Sequence, residues 1–313
     1  MSNDILFLTD KWCGMNPRNG LANHFDVLIN TFRESPLDYL LHSLHFDESY
    51  AVYGTHINKI LVPYCLNLNI KKCFITFNGV SDLNPSIEAL SLLKQNGIEL
   101  YVIWYDNNPQ DLALRDKVRD LVSLNVMLDY PKFNGESPEP KDKDLYLWTP
   151  QSKSFFYEME KDIEVSFIGS NRYPDRQAHL KELVDKIPNL VVSGGQRESK
   201  LPFSIYSQLI RRSKMGINFC KNPMAEGYTQ VKGRVFEIIA SKSLLFEESG
   251  SGTSDFFTPG EEYVEFTSVN DLINKINYYS SNSVERDAIA LRGHNKFLEK
   301  YSPTHFWRKI VGS

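Results

Sequence analysis

Cysteine is scarce. Cys13, Cys65, Cys73 and Cys220 are scattered through 313 residues and no CxxC pair occurs. Neither a zinc site nor a disulfide framework is indicated, and a reducing cytoplasm is the compartment this usage predicts. Long apolar runs are absent too; LYVIWY, 100–105, is among the longest, well short of the roughly 18 residues of a membrane span. The opening MSNDILFLTD has an acid before a short apolar run instead of a basic n-region, so no secretory leader is expected. Positive charge is not in excess: the net charge is -4, which signals no general affinity for nucleic acid while leaving room for a local basic patch. There is no GxxxxGK[ST], and no GxGxxG follows a strand; a Walker loop is excluded and NAD binding is unsupported. Asp142-Lys143-Asp144 has the letters of DxD, but no apolar strand flanks it and it reads as solvated charge in a linker.

What is present is an alternation of short apolar runs with longer amphipathic ones. ILFLT (5–9), CFITF (73–77), ELYVIWY (99–105) and NVMLDY read as buried strands, with helices around 21–33, 85–95 and 111–122. The texture changes at 134–149, where NGESPEPKDKDLYLWT reads as a linker or surface crossing. A second series follows: strands VSFIGS (165–170), LVVSGG (190–195), MGINFC (215–220) and LLFEE (244–248), and helices at 176–187, 205–213 and 235–242, with two more beyond. Strands alternating with helices predict parallel α/β layers. The expected organisation is two Rossmann-like domains, 1–150 and 151–313, facing a central cleft, with the last helix free to pack back on the first. No sequence repeat or low-complexity tract is visible.

Ligands of such sheets bind at the carboxyl ends of strands, and the unusual residues lie there. In VSFIGSNRYPDR, Gly169 and Ser170 stand between a strand and a helix, where backbone N–H groups suit a phosphate; Arg172 or Arg176 adds charge. In KGRVFEIIASKSLLF, Arg234 and Glu237 are three apart on an otherwise greasy helix and share one face. Gly233 permits close backbone approach, and Lys232 and Arg234 stand where the helix start already favours an anion. A carboxylate at Glu237 can accept two hydrogen bonds from a ribose diol. The alternative is that Arg234 and Glu237 simply pair with each other. The SGSGTS run, with Ser251, Gly252 and Thr253, is flexible and donor-rich, and reads as either a diphosphate cradle or a plain loop.

The order of these pieces — strand-FIGS, a Gly-Gly strand end, SKMGINF, GRVFEIIASKSLLF, PGEEYVEF, then ERDAIALRGHNKFLEKYSPTHFWRKI — resembles the C-terminal half of spore-maturation-protein-like glycosyltransferases, relatives of the group 1 glycosyltransferases with the GT-B fold. The resemblance spans about residues 162–311. It implies that Glu237 binds the ribose of a nucleotide sugar and that Arg234 and Lys232 face its diphosphate, with Gly169, Ser170 and Arg176 alongside. It further implies a metal-independent reaction with no cofactor beyond the donor, a UDP-sugar by base rate. Two positions depart from the pattern. Many group 1 enzymes carry an acid eight residues before the ribose-binding Glu; here that residue is Thr229, and the nearest acid is Glu226. They also commonly have Gly five residues after it; here it is Lys242.

The N-terminal domain is expected to bring the acceptor: a glycan, a lipid-linked glycan, a protein or a modified nucleobase. Asp10, His24 and Asp106 are polar residues at strand ends or in loops that suit a base for the acceptor hydroxyl; each also fits as a cap or a surface residue. The expectation is a cytoplasmic glycosyltransferase. The rivals are a non-catalytic sugar-nucleotide-binding protein, a nucleotide-sugar epimerase on the same fold, and a structural α/β protein.

Overall fold

The computed structural model describes residues 4–79, 81–105, 109–171, 173–194, 201–221 and 226–312, without the side chains of 23–26 and 109–111. The chain divides into two compact units. The first comprises 1–129, 139–147 and 306–313, and the second 130–138 and 148–305.

The first unit is built on a six-stranded, all-parallel sheet. In chain order its strands are β1 (Asp4–Thr9), β2 (Leu40–His45), β3 (Lys72–Thr76), β4 (Glu99–Trp104), β5 (Leu124–Met127) and β7 (Asp144–Tyr146), the last following β6 (Pro131–Phe133) of the second unit. The spatial order is β2-β1-β3-β4-β5-β7, with Ile5 level with Leu41 on one side and Lys72 on the other. Parallel strands covered on both faces need apolar residues throughout, and β1 is buried along its whole length. Leu6, Leu8, Ile75 and Val102 meet α2 (Phe46–Tyr53), α3 (Leu61–Asn67) and α4 (Ile87–Gln95) through Phe46, Leu61 and Leu90, and α5 (Pro109–Val118) joins β4 to β5. On the opposite side Phe7 and Phe74 stack at 5.1 Å, joined by Phe32 of α1 (Asn23–Arg33). Trp307, in the terminal helical segment, completes this cluster and donates from Nε1 to Thr31 Oγ1 at 3.1 Å.

Two expectations change here. The charged stretch read as a linker carries β7, which extends the sheet by pairing Asn125 with Asp144. Asp144 is not solvated charge: its side chain is only 1% exposed and is gripped by Arg119 at 2.7 and 3.2 Å. A three-residue edge strand among Lys and Asp leaves no period to read. β2, α2 and α3 also went unread, because LLHSLH at a half-exposed edge does not alternate cleanly.

The second unit holds a five-stranded parallel sheet of β8 (Ile163–Ile168), β9 (Leu190–Ser193), β10 (Ser213–Asn218), β12 (Leu244–Glu248) and β13 (Val264–Phe266), in the order β13-β12-β10-β8-β9. Helices α6 (Pro174–Lys186), α7 (Phe203–Arg212) and α8 (Gly233–Ala240) connect the first four of these strands, and α9 (Val269–Ser281) and α10 (Ser283–Lys296) follow β13. β11 (Tyr228–Gln230) pairs antiparallel with β6 beside the main sheet. The core runs from Val165, Phe167, Met215, Ile217, Leu244 and Phe246 to Leu183, Leu272 and Ile289.

Candidate functional site

β8 lies between β9 and β10, so the chain leaves it first one way and then the other. Such a reversal opens a crevice at the carboxyl end of the strand. Gly169 occupies that point, its N–H donating to Ser193 O at 2.8 Å. Crossover helices run antiparallel to the strands they join, so the starts of α6 and α8 come to the same edge. They bring Arg176 from the first turn of α6, and Lys232, Arg234 and Glu237 from the start of α8.

On α8, Val235, Phe236, Ile238 and Ile239 are buried, Ile238 against Gly216 of β10 and Phe236 against Phe256, Phe257 and Tyr301. Arg234 and Glu237 share the remaining stripe, yet they make no ion pair with each other. Glu237, 9% exposed, accepts a short hydrogen bond from the Tyr206 hydroxyl of α7. Burial raises its pKa, while the Tyr206 bond and the Arg234 charge oppose that rise. Arg234 lies close enough for its charge to act on Glu237 and Tyr206, but its hydrogen bond goes to Asn218. Its Nη1 donates to Asn218 Oδ1 at 3.0 Å, its guanidinium lies 5.1 Å from the centre of the Phe167 ring, and its buried Nε has no hydrogen-bond partner. A Cβ on Gly169 would lie 2.0 Å from Arg234 Nη2. Glycine at 169 therefore makes the seat in which the guanidinium rests.

Two further cations share the neighbourhood. The buried Arg176 lies 5.9 Å from the centre of the Phe167 ring and donates to Ser170 O at 2.9 Å. Lys232 donates to the carbonyls of Phe219 and Lys221 at 2.7 and 3.2 Å. Burial, with the charges of Arg176 and Arg234, brings the Lys232 pKa down to about 7. Neither Lys232 nor Arg234 makes an ion pair among the described residues. Three cations gathered at a helix start, with no acid in the first turn of α8, form a place that favours an anion.

The other anticipated residues fall as follows. Gly233 allows close approach, but of Thr149, whose Cγ2 would sit 3.3 Å from an added Cβ. Ser251, Gly252 and Thr253 are buried, and the Ser251 hydroxyl bonds Thr253 Oγ1 at 2.8 Å and takes the Thr253 N–H at 3.1 Å. Its hydroxyls are thus spent internally, and a short 3₁₀ turn follows. Glu226 is exposed and lines a cavity of about 490 Å³ beside Arg176, with Tyr173, His179, Phe219, Thr229 and Glu248. Lys242 has φ +55°, a left-handed position just past the end of α8 where glycine is the natural occupant. In the first unit, Asp10 is buried at the end of β1 and accepts from Asn78 Nδ2 at 2.7 Å. Its loop is tied down by Asp47, which takes the Lys11 and Trp12 N–H groups at 2.8 and 2.9 Å. His24 belongs to α1 but its side chain lies outside the described residues, as do Arg172 and Asp106.

Tyr206, Asn218 and Glu247 were not anticipated. Asn218 and Glu247 carried a faint signal, being polar residues inside otherwise apolar strands; Tyr206 had none.

Residues 152–312 match a family described as glycosyl transferase-like. The chain belongs to that glycosyl-transferase-like family. No curated protein matches the sequence. Among solved structures, Anabaena HepE in complex with UDP is similar at 11% identity and a TM-score of 0.59, covering 99% of this chain and 98% of that one. Sucrose-phosphate synthase from Thermosynechococcus elongatus is similar at 8% identity and 0.55, covering 98% of each chain. A putative UDP-N-acetylglucosamine 2-epimerase from Listeria monocytogenes is similar at 9% and 0.57, covering 99% and 95%. The fold of this glycosyl-transferase-like chain is the GT-B α/β fold with parallel sheets. Among the described residues no helix is long and apolar enough to cross a membrane.

Proposed function

We propose that the protein is a glycosyltransferase that takes a glycosyl group from a nucleoside diphosphate sugar to an acceptor hydroxyl, with the carboxyl edge of the second sheet as its donor site. The observation that carries this is the gathering of Arg176, Lys232 and Arg234 one helical turn from a buried Glu237 that Arg234 does not pair with. A buried carboxylate lacks water; two ribose hydroxyls replace it as donors to Glu237. The three cations face the diphosphate, and they stabilise the charge it gains on leaving, so the reaction needs no metal. The cavity beside Arg176, with Glu226 and Thr229 on its wall, is the space for the sugar. The acceptor-side base is sought among Asp10, His24 and Asp106. UDP is the first nucleotide to try, since HepE was crystallised with UDP and with UDP-glucose.

A second reading, nucleotide-sugar epimerase, is favoured by one observation: the Listeria epimerase matches this fold about as well as HepE does. A thermal-shift panel of UDP, GDP, dTDP, ADP and CMP tests the shared premise. A ligand at about 100 times its dissociation constant adds roughly 2.7 kcal/mol of stability, so one nucleotide should stand out; a flat panel refutes the donor site. Incubation with the matching sugar conjugate then separates the readings. Isomerisation of the sugar without an acceptor means epimerase, and acceptor-dependent release of the diphosphate means transferase. Binding with neither leaves a non-catalytic nucleotide-binding protein.

A further inference from the structure

We propose that Glu247 and Asn218 act together as positioning residues that hold Arg234 against the donor diphosphate; the inference rests on the donor-site reading above. Asn218 is the last residue of β10 and Glu247 stands level with it on β12. The Asn218 amide is engaged at both ends. Its Nδ2 donates to Glu247 Oε2 at 2.8 Å, and its Oδ1 accepts from Arg234 Nη1 at 3.0 Å. Only one orientation of the amide satisfies both partners, since a flipped amide would turn its NH₂ toward the guanidinium, which has donors alone. The donor-only guanidinium fixes the flip, and Glu247, accepting from Nδ2 at the other end, braces the amide that holds it. Arg234 is a long side chain with much freedom to lose; the bare Gly169 and the face of Phe167 supply shape, and Tyr206 and the Glu237 charge lie on its other side.

Glu247 is a costly residue to keep for packing alone. It is fully buried, makes no ion pair, and its Oε1 has no hydrogen-bond partner. An acid so placed survives by staying neutral, and burial raises its pKa to about 8. The groups that face it are Asn218 on β10, Cys220 just beyond that strand, Glu248 and Ser251 on its own strand and the following loop, Lys232 at the start of α8, and Tyr263 before β13. Lys232 gives its hydrogen bonds to backbone carbonyls, and Glu248 is engaged by Lys221 Nζ at 2.8 Å. Below about pH 8 the relay ends in a neutral acid and the Arg234 charge is directed undiminished at the ligand. Above it, a carboxylate stands behind Asn218 and offsets part of the attraction for an anion.

The test titrates UDP, inorganic pyrophosphate and uridine into the full-length wild type, Glu247→Gln and Glu247→Leu, from pH 6.5 to 9, with melting temperatures in parallel. Gln can still offer a carbonyl to Asn218 Nδ2, so Glu247→Gln should keep UDP affinity within about threefold at pH 7 and show a shallower decline above pH 8 than wild type, the part that remains belonging to Lys232. Glu247→Leu should weaken UDP and pyrophosphate about tenfold or more and leave uridine nearly unchanged. The proposal is overturned by a folded Glu247→Leu with wild-type affinity for UDP, by an equal loss of uridine and UDP, or by a decline above pH 8 as steep in Glu247→Gln as in wild type, since Lys232 contributes the same decline to both. Should Glu247→Leu not fold, the Gln arm alone decides. Wild type that binds neither UDP nor pyrophosphate sinks the donor-site reading and this proposal with it, whereas wild-type binding with unaffected variants sinks only this proposal.

Discussion

Gly169→Ala puts one methyl group into the seat of Arg234. Gly169 is not at positive φ, so alanine is compatible with the backbone, and the three atoms nearest the new Cβ all belong to the guanidinium, with Nη2 at 2.0 Å and Cζ at 2.6 Å. That guanidinium is the far end of a flexible side chain and can swing away. The fold then loses a hydrogen bond from a charged donor to Asn218, roughly 1.5–3 kcal/mol, and regains about 0.4–1 kcal/mol because alanine has a less disordered unfolded chain than glycine. Stability should fall by roughly 0.5–2.5 kcal/mol, several degrees in melting temperature. Binding reads the role of Arg234 at the diphosphate separately. A hydrogen bond between Arg234 and a phosphate is worth roughly 1.5–3 kcal/mol, so its loss weakens UDP by roughly 10- to 150-fold. Calorimetric titration of UDP and uridine against wild type and variant reads this directly, and uridine should be little affected. A folded Gly169→Ala that binds UDP within twofold of wild type would refute the assignment of Arg234 to the diphosphate.

Tyr206→Phe removes the hydroxyl that donates to the buried Glu237; stability should fall by about 1–3 kcal/mol and uridine should bind more weakly, and a variant with unchanged melting and binding contradicts the buried pairing. Lys242→Gly relieves a left-handed residue, φ +55°, worth roughly 1–2 kcal/mol, against a more flexible unfolded chain and a lost surface pair with Glu158; chemical denaturation should show a net gain of about 0.5 kcal/mol, and a loss above about 1 kcal/mol contradicts it. Lys232 has its folded pKa lowered to about 7, so the unfolded chain binds the extra proton and this group's contribution to stability rises with pH from about 7 toward the ordinary lysine range. A bound diphosphate favours the charged form, so UDP binding near pH 7.5 should take up protons, measured by calorimetry in buffers of different ionisation enthalpy; proton release would reverse the sign of the argument.

The alternation of apolar and amphipathic segments was legible because parallel strands covered on both faces are continuous apolar runs, as in DILFLT and LLFEE. β7 and β2 were not legible, since short edge strands owe their place to pairing rather than to pattern. At the site, Arg234 and Glu237 stood out because two charges on a greasy helix demand partners. Which partners they take, Asn218 and Tyr206, depends on strands and helices far apart in sequence. The 251–253 loop misled for the opposite reason: Ser, Gly and Thr read as solvated and mobile, yet Ser251 and Thr253 satisfy each other inside the protein. Lys242 departs from the glycine that a left-handed position prefers without moving the helix end.

The most direct test of the central claim is a titration of UDP and uridine into wild type, Glu237→Ala and Arg234→Ala, each checked for an intact melting transition. The account predicts one site per chain, with Glu237→Ala weakening both ligands by roughly 1.5–3 kcal/mol and Arg234→Ala weakening UDP far more than uridine. Wild-type affinity in both variants, or a wild type to which no nucleoside diphosphate binds, would contradict it and return Arg234 and Glu237 to a purely structural role.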